Sequence, residues 1–128
     1  KNMQLLSPEK GKLVVLGDVD LLKYLFELLQ KQDGGESIKV DIDDLSPKYI
    51  AFHLYMSQLQ LSDEACANLF APDIKHVPYM VCKQIVRENG ECFNRHRCGI
   101  IAHNTERGTT LSITLSQAKK NNKEYGEF

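Results

Sequence analysis

The chain has 128 residues, of which 42% are hydrophobic and 26% are charged, and its formal net charge is −1. These values are typical of a soluble globular protein, built as one compact domain or as a modest core with an appended unit. They exclude a membrane-spanning protein, because no apolar run is long enough to cross a bilayer.

The chain begins at Lys1 rather than at methionine, so we expect it to be a piece of a longer protein. It carries no hydrophobic signal segment, and four cysteines are an ordinary content. Nothing therefore indicates an oxidising compartment, and we expect an intracellular location, in the cytoplasm or the nucleus, without membrane attachment.

Charge is distributed unevenly along the chain. Residues 1–74 carry twelve Asp/Glu and seven Lys/Arg, whereas residues 75–107 carry three and six. Because Lys and Arg bind phosphates by releasing condensed counterions, the second segment favours an anionic partner. A solvated loop with little core has the same composition, so charge alone leaves both interpretations open.

The first forty residues predict a strand, a helix and a second strand. Residues 13–16 are continuously apolar, and Asp18 can cap a helix over 19–32, where apolar residues recur at spacings of three and four. The alternating segment 37–42 predicts a half-exposed strand. A catalytic role for Asp18 and Asp20 would need a glycine-rich phosphate loop, and none follows them.

The middle of the chain predicts two more helices. Ser46 and Pro47 suit the start of a helix whose apolar face extends to Leu59, and a shorter helix begins at Ser62. The β-branched segment 109–115 predicts a strand near the carboxyl end.

Three of the four cysteines precede a histidine at short intervals. Cys82, Cys92, Cys98 and His103 are separated by nine, five and four residues. Thiolate and imidazole are ligands that zinc prefers, and short loops let a small backbone unit surround the ion. With Gly90 ahead of Cys92, this segment resembles the CCCH zinc-finger family. The resemblance implies a structural zinc ion bound by these four side chains.

Other interpretations of the same residues remain open. His76 and His96 are alternative nitrogen ligands in place of His103. The cysteines are also compatible with free thiols packed as small hydrophobes, or with disulfides, for which four cysteines allow three pairings. Cys66 lies in an apolar helical pattern and is predicted to belong to the core.

The CCCH resemblance also implies binding of single-stranded RNA, whose exposed bases stack on aromatic and arginine side chains. Phe93 is then the candidate stacking residue, and Arg95, Arg97, Lys83 and Arg87 are the candidate phosphate or stacking contacts. A zinc ion with four protein ligands has no open position for an activated water, so no enzymatic activity is expected.

The sequence thus predicts an α+β protein, helix-rich with a short sheet, and a CCCH-like zinc unit with little regular structure. We expect an acidic domain over 1–75, the zinc unit over 76–107, and a strand with a polar tail over 108–128 that packs back on the first domain. The predicted function is RNA binding within a larger RNA-processing or RNA-regulatory protein. The alternative is a protein-interaction or scaffolding domain that binds a protein partner through its acidic helical region, with a purely structural zinc.

Overall fold

The structure is a computed structural model that describes residues 2–7, 11–34 and 38–118. It confirms the predicted α+β class. The elements in chain order are β1 (Asn2–Ser7), β2 (Gly11–Leu16), α1 (Val19–Gln32), β3 (Lys39–Leu45), β4 (Tyr49–Tyr55), α2 (Asp63–Ala67), α3 (Val77–Cys92), β5 (Gly99–Thr105) and β6 (Gly108–Ser116). A 3-10 turn, Ile74–His76, leads directly into α3.

The main sheet has four antiparallel strands in the order β3-β4-β6-β5. The hairpin of β1 and β2 forms a separate two-stranded sheet, joined to the end of β6 by a bridge between Val15 and Gln117. Because side chains alternate across a strand, Ile50, Phe52 and Leu54 of β4 all face the core.

Helices α1 and α3 pack against each other, and the core they share with the sheet is apolar. Phe26 of α1 meets Phe52 of β4 edge to face, with ring centroids 5.3 Å apart. Fully buried large side chains come from β2, from α1 and from the central strands β4 and β6: Val15, Leu22, Leu25, Leu29, Ile50, Leu111, Ile113 and Leu115.

The prediction of a helix between Ser46 and Leu59 is wrong. Residues 46–48 form the turn between β3 and β4, with a cis peptide bond before Pro47, and residues 49–55 form β4. The segment is rich in aromatic and β-branched residues, which pack well on a pleated sheet. Its apolar residues fit a helical and a strand pattern about equally, and pairing with two neighbouring strands selects the strand.

The segment around Cys82 and Cys92 was predicted to have little regular structure, and this prediction is also wrong. It forms α3, a helix of 16 residues. Pro78 lies in the first turn, where its missing N–H removes no helical hydrogen bond. Asn89 and Gly90, which predict a turn, lie inside the helix. Gly90 is needed there because a Cβ atom would come within 2.5 Å of the Arg95 carbonyl oxygen.

Predictions for α1, α2 and β6 agree with the structure, and Asp18 and Ser62 accept the expected capping hydrogen bonds from backbone N–H groups. In β3, Val40 and Ile42 pair with Leu54 and Phe52 of β4 and therefore lie on the core-facing side of the sheet. Their side chains are nevertheless 44% and 38% exposed. β3 is an edge strand, so only part of its surface is covered by α1.

Residues on both sides of the predicted domain boundaries contribute to one core cluster, for example Leu25, Val86 and Leu111. The division at 75/76 and 107/108 stays a prediction. Among the described residues, no helix combines the length and the apolar character needed to cross a membrane.

Candidate functional site

The outer face of α1 carries an open groove near the carboxyl end of the helix. It has a volume of about 290 Å³ and is lined by Tyr24, Glu27, Leu28, Gln30 and Lys31. Tyr24, Glu27, Gln30 and Lys31 are exposed, whereas Leu28 is half-buried and packs against the core. The groove therefore combines an aromatic ring, a carboxylate and an ammonium group on one rigid element.

Tyr24 and Lys31 mark the two ends of this groove. The Tyr24 side chain is 48% exposed, so a flat ligand can reach its ring. Lys31 lies seven residues further along, which is about 10 Å at the rise of an α-helix. Within the described part of the chain, the Lys31 ammonium has no ion-pair partner within 4 Å.

The end of α1 is held in place by Asp33, a fully buried residue that follows the last helical turn. Its carboxylate accepts a hydrogen bond from the backbone N–H of Gln58 at 2.7 Å, and the Ser57 hydroxyl lies 3.5 Å from its other oxygen. A buried carboxylate needs such partners. Asp33 therefore fixes the loop after β4 against the helix end beside the groove.

Behind the groove, α3 supplies Tyr79 and Cys82. Burial raises the pKa of the Tyr79 phenol to about 12 and the pKa of the Cys82 thiol to about 12. Both groups are thus protonated at neutral pH. The Cys82 sulfur lies 4.0 Å from the Leu25 carbonyl oxygen, and this helix contact assigns it a packing role.

The zinc prediction is wrong. Within residues 2–7, 11–34 and 38–118, no group of three or more His, Cys, Asp or Glu side chains is placed to hold a metal ion. Cys82 is buried in α3, Cys92 is exposed at its end, and Cys98 lies 3.5 Å from the Ser116 hydroxyl. His103 lies on β5, with its Nε2 atom 2.9 Å from the Ser112 hydroxyl.

The cysteines of this chain are free thiols, one of the alternatives that the sequence left open. His76 precedes α3 and packs near the Tyr79 ring, with centroids 6.2 Å apart. His96 is exposed in the turn that follows α3.

The candidate RNA contacts do not share one surface element. Phe93 caps the end of α3, and Lys83 and Arg87 are exposed on its side. Arg95 donates a hydrogen bond to the Phe93 carbonyl oxygen at 3.3 Å, and Arg97 stacks on the Tyr49 ring at 5.3 Å. These two guanidinium groups therefore have intramolecular partners.

Tyr24, Glu27 and Lys31 lie within the helix predicted over 19–32, but the sequence did not indicate them as site residues. No spacing motif distinguishes them, and only the seven-residue separation of an aromatic and a basic residue was available as a signal. Asp33 predicted a helix end, which is correct, but its burial depends on the distant loop at Gln58.

The fold is similar to those of solved histidine kinase domains. The catalytic domain of histidine kinase ThkA, in a nucleotide-free form, matches with a TM-score of 0.69 and 18% identity, over 88% of this chain and 77% of that chain. The mycobacterial sensor histidine kinase MprB matches with a TM-score of 0.67 and 13% identity, over 85% of this chain and 78% of that chain. No family profile and no curated protein sequence matches the chain.

These neighbours contradict the prediction of a CCCH finger and the prediction that the chain has no enzymatic function. They also contradict both predicted functions, single-stranded RNA binding and scaffolding. The overlap with the neighbours extends over most of the chain, including the segment that resembles a zinc finger in sequence. The chain therefore has the fold of histidine kinase catalytic domains.

Proposed function

We propose that this chain is the nucleotide-binding catalytic domain of a histidine-kinase-type signalling protein, and that it binds an adenine nucleotide along the outer groove of α1. The observation that carries the proposal is the fold, which is shared with ThkA and MprB over more than four fifths of the chain. Kinases take their phosphoryl group from a nucleotide, so the proposal requires a surface for a base and for phosphates.

The groove offers a surface for the base and a surface for the phosphates in suitable positions. Tyr24 presents an aromatic face on which a purine base can stack, an interaction that contributes about 1 to 3 kcal/mol. Lys31 presents an ammonium group about 10 Å away along the helix axis, a separation suited to the phosphates of the same nucleotide. A charge-assisted contact to phosphate is among the stronger hydrogen bonds in proteins.

A magnesium ion fits this groove only together with the nucleotide. Mg²⁺ retains most of its waters and is held by one or two carboxylates plus substrate phosphates. Among the described residues that line the groove, Glu27 is the one with a carboxylate. It would supply a single oxygen ligand, and the bound ion would neutralise charge on the phosphates. We therefore expect magnesium alone to bind too weakly to measure.

The experiment is a calorimetric titration of the full chain with ATP and magnesium, followed by titration of Lys31→Gln. Removing the ammonium should weaken ATP binding by about 10- to 100-fold, because a hydrogen bond to a charged group contributes about 1.5 to 3 kcal/mol. Lys23→Gln is the matched control. It removes the same charge from an exposed position two turns earlier in α1, and it should leave the affinity unchanged.

Two results would contradict the proposal. One is a wild-type chain that is folded by circular dichroism and shows no heat of binding with millimolar ATP and magnesium. The other is an equal loss of affinity in Lys31→Gln and Lys23→Gln, which would indicate general electrostatic attraction rather than binding in the groove.

A further inference from the structure

A second cavity lies at the opposite end of α1, between its amino terminus and the carboxyl end of α3. Its volume is about 290 Å³. The walls are apolar, formed by Leu21 and Leu22 of α1 together with Ile85 and Phe93. A space of this size and character accommodates a single aromatic ring system.

Two carboxylates lie at the edge of these apolar walls, Glu88 of α3 and Asp18 at the start of α1. The Glu88 carboxylate accepts a hydrogen bond from the Gln84 amide at 2.9 Å, which is a neutral donor, and it forms no ion pair with a residue that the structure describes. The described residues that line the cavity include neither Lys nor Arg. The cavity therefore favours a cation over an anion.

The back wall of the cavity is rigid. The Asn89 side chain donates to the Leu16 carbonyl oxygen at 2.6 Å and accepts from the Ser116 N–H at 3.0 Å, which joins α3 to β2 and to β6. Gly17 lies against this amide, and a Cβ atom there would come within 2.7 Å of the Asn89 nitrogen. A ligand would thus enter a preformed site, without first ordering these elements.

From these contacts we propose that the cavity binds a small aromatic amine in its cationic form, with the ring between Leu21 and Phe93 and the ammonium group near Glu88. The site is separate from the proposed nucleotide groove, and its occupant does not depend on whether the chain binds ATP.

Cys92 provides a direct readout, because it lies at the cavity and is the exposed cysteine of α3. The probes are tryptamine and indole-3-acetate, which share a ring system and differ in the sign of their charge. The rate at which a thiol reagent modifies Cys92 is measured in the full chain, with the modified residue identified by mass spectrometry. At ten times the dissociation constant of tryptamine, labelling should slow about tenfold, because only the free fraction reacts.

Charge selectivity is then tested with Glu88→Gln, which should weaken tryptamine binding about two- to fivefold, as expected for a partly solvated ion pair. Glu91→Gln is the matched control, since it removes an exposed carboxylate of the same helix outside the cavity lining. Lys31→Gln should not alter tryptamine binding. Because Lys31 belongs to the proposed nucleotide groove, a failure of the nucleotide proposal would not be mistaken for a failure of tryptamine binding.

The proposal is overturned if tryptamine leaves the labelling rate of Cys92 unchanged up to its solubility limit. It is equally overturned if indole-3-acetate protects Cys92 as well as tryptamine does. That second outcome would show an apolar cavity without preference for a cation.

Discussion

The thiol of Cys82 lies with no exposed surface inside α3, against the backbone of α1. Burial disfavours its thiolate and raises its pKa from the ordinary value of 9.0 to about 12. The folded state therefore holds this proton more tightly than the unfolded chain does. Its contribution to stability is complete below pH 9 and is lost as the pH rises from 9 towards 12.

We expect the free energy of unfolding to fall between pH 9 and pH 10 by about 1 kcal/mol more in the wild type than in Cys82→Ala. Tyr79, whose pKa burial raises from the ordinary 10.0 to about 12, is present in both proteins. Urea unfolding at pH 8, 9 and 10 measures the difference. Parallel pH profiles for the two proteins would show that the thiol is not desolvated in the folded state.

At the scale of elements, one side chain joins three of them. Asn89 of α3 bonds to the Leu16 carbonyl oxygen of β2 and to both the N–H and the hydroxyl of Ser116 in β6. The Ser116 groups are buried and the Leu16 carbonyl is partly buried, and a buried polar group without a partner destabilises the fold. The amide therefore fixes the hairpin and the helix to the end of the main sheet.

Asn89→Ala should lower the free energy of unfolding by about 2 to 4 kcal/mol, because it leaves a carbonyl oxygen and an N–H group without partners. Gln84→Ala is the control, an exposed position of the same helix where a change within about 0.5 kcal/mol is expected. Urea unfolding at neutral pH compares the two variants. A loss in Asn89→Ala no larger than in Gln84→Ala would mean that water replaces the amide without penalty.

At the scale of the whole molecule, apolar packing joins the helices to the sheet. α1, α3 and the sheet share one apolar core, and the described residues offer no metal site of three or more ligands. Proteins held together by structural zinc behave differently, because metal binding supplies their folding free energy.

Adding a strong chelator should therefore leave the thermal unfolding midpoint of this chain unchanged. Differential scanning calorimetry with EDTA, compared with a zinc-saturated sample, makes the test. A midpoint that falls with EDTA and recovers with zinc would restore a metal-dependent fold.

The sequence by itself determined those elements whose signals are local. The amphipathic spacing and the Asp18 cap predicted α1 correctly, Ser62 predicted the start of α2, and the β-branched run predicted β6. In each of these cases, backbone preference and hydrophobic period agree within a short window, so no distant contact is needed to decide the structure.

Only the tertiary structure determined that residues 49–55 form strand β4, that α3 is a continuous helix, and which groups the cysteines contact. The apolar pattern of residues 49–55 fits either a helix or a strand, and pairing with β3 and β6 selects the strand. Cys82, Cys92 and Cys98 have zinc-finger spacing along the chain, but a 16-residue helix carries the first two to different environments. Side-chain neighbours in a core depend on contacts between distant segments, which spacing along the chain does not specify.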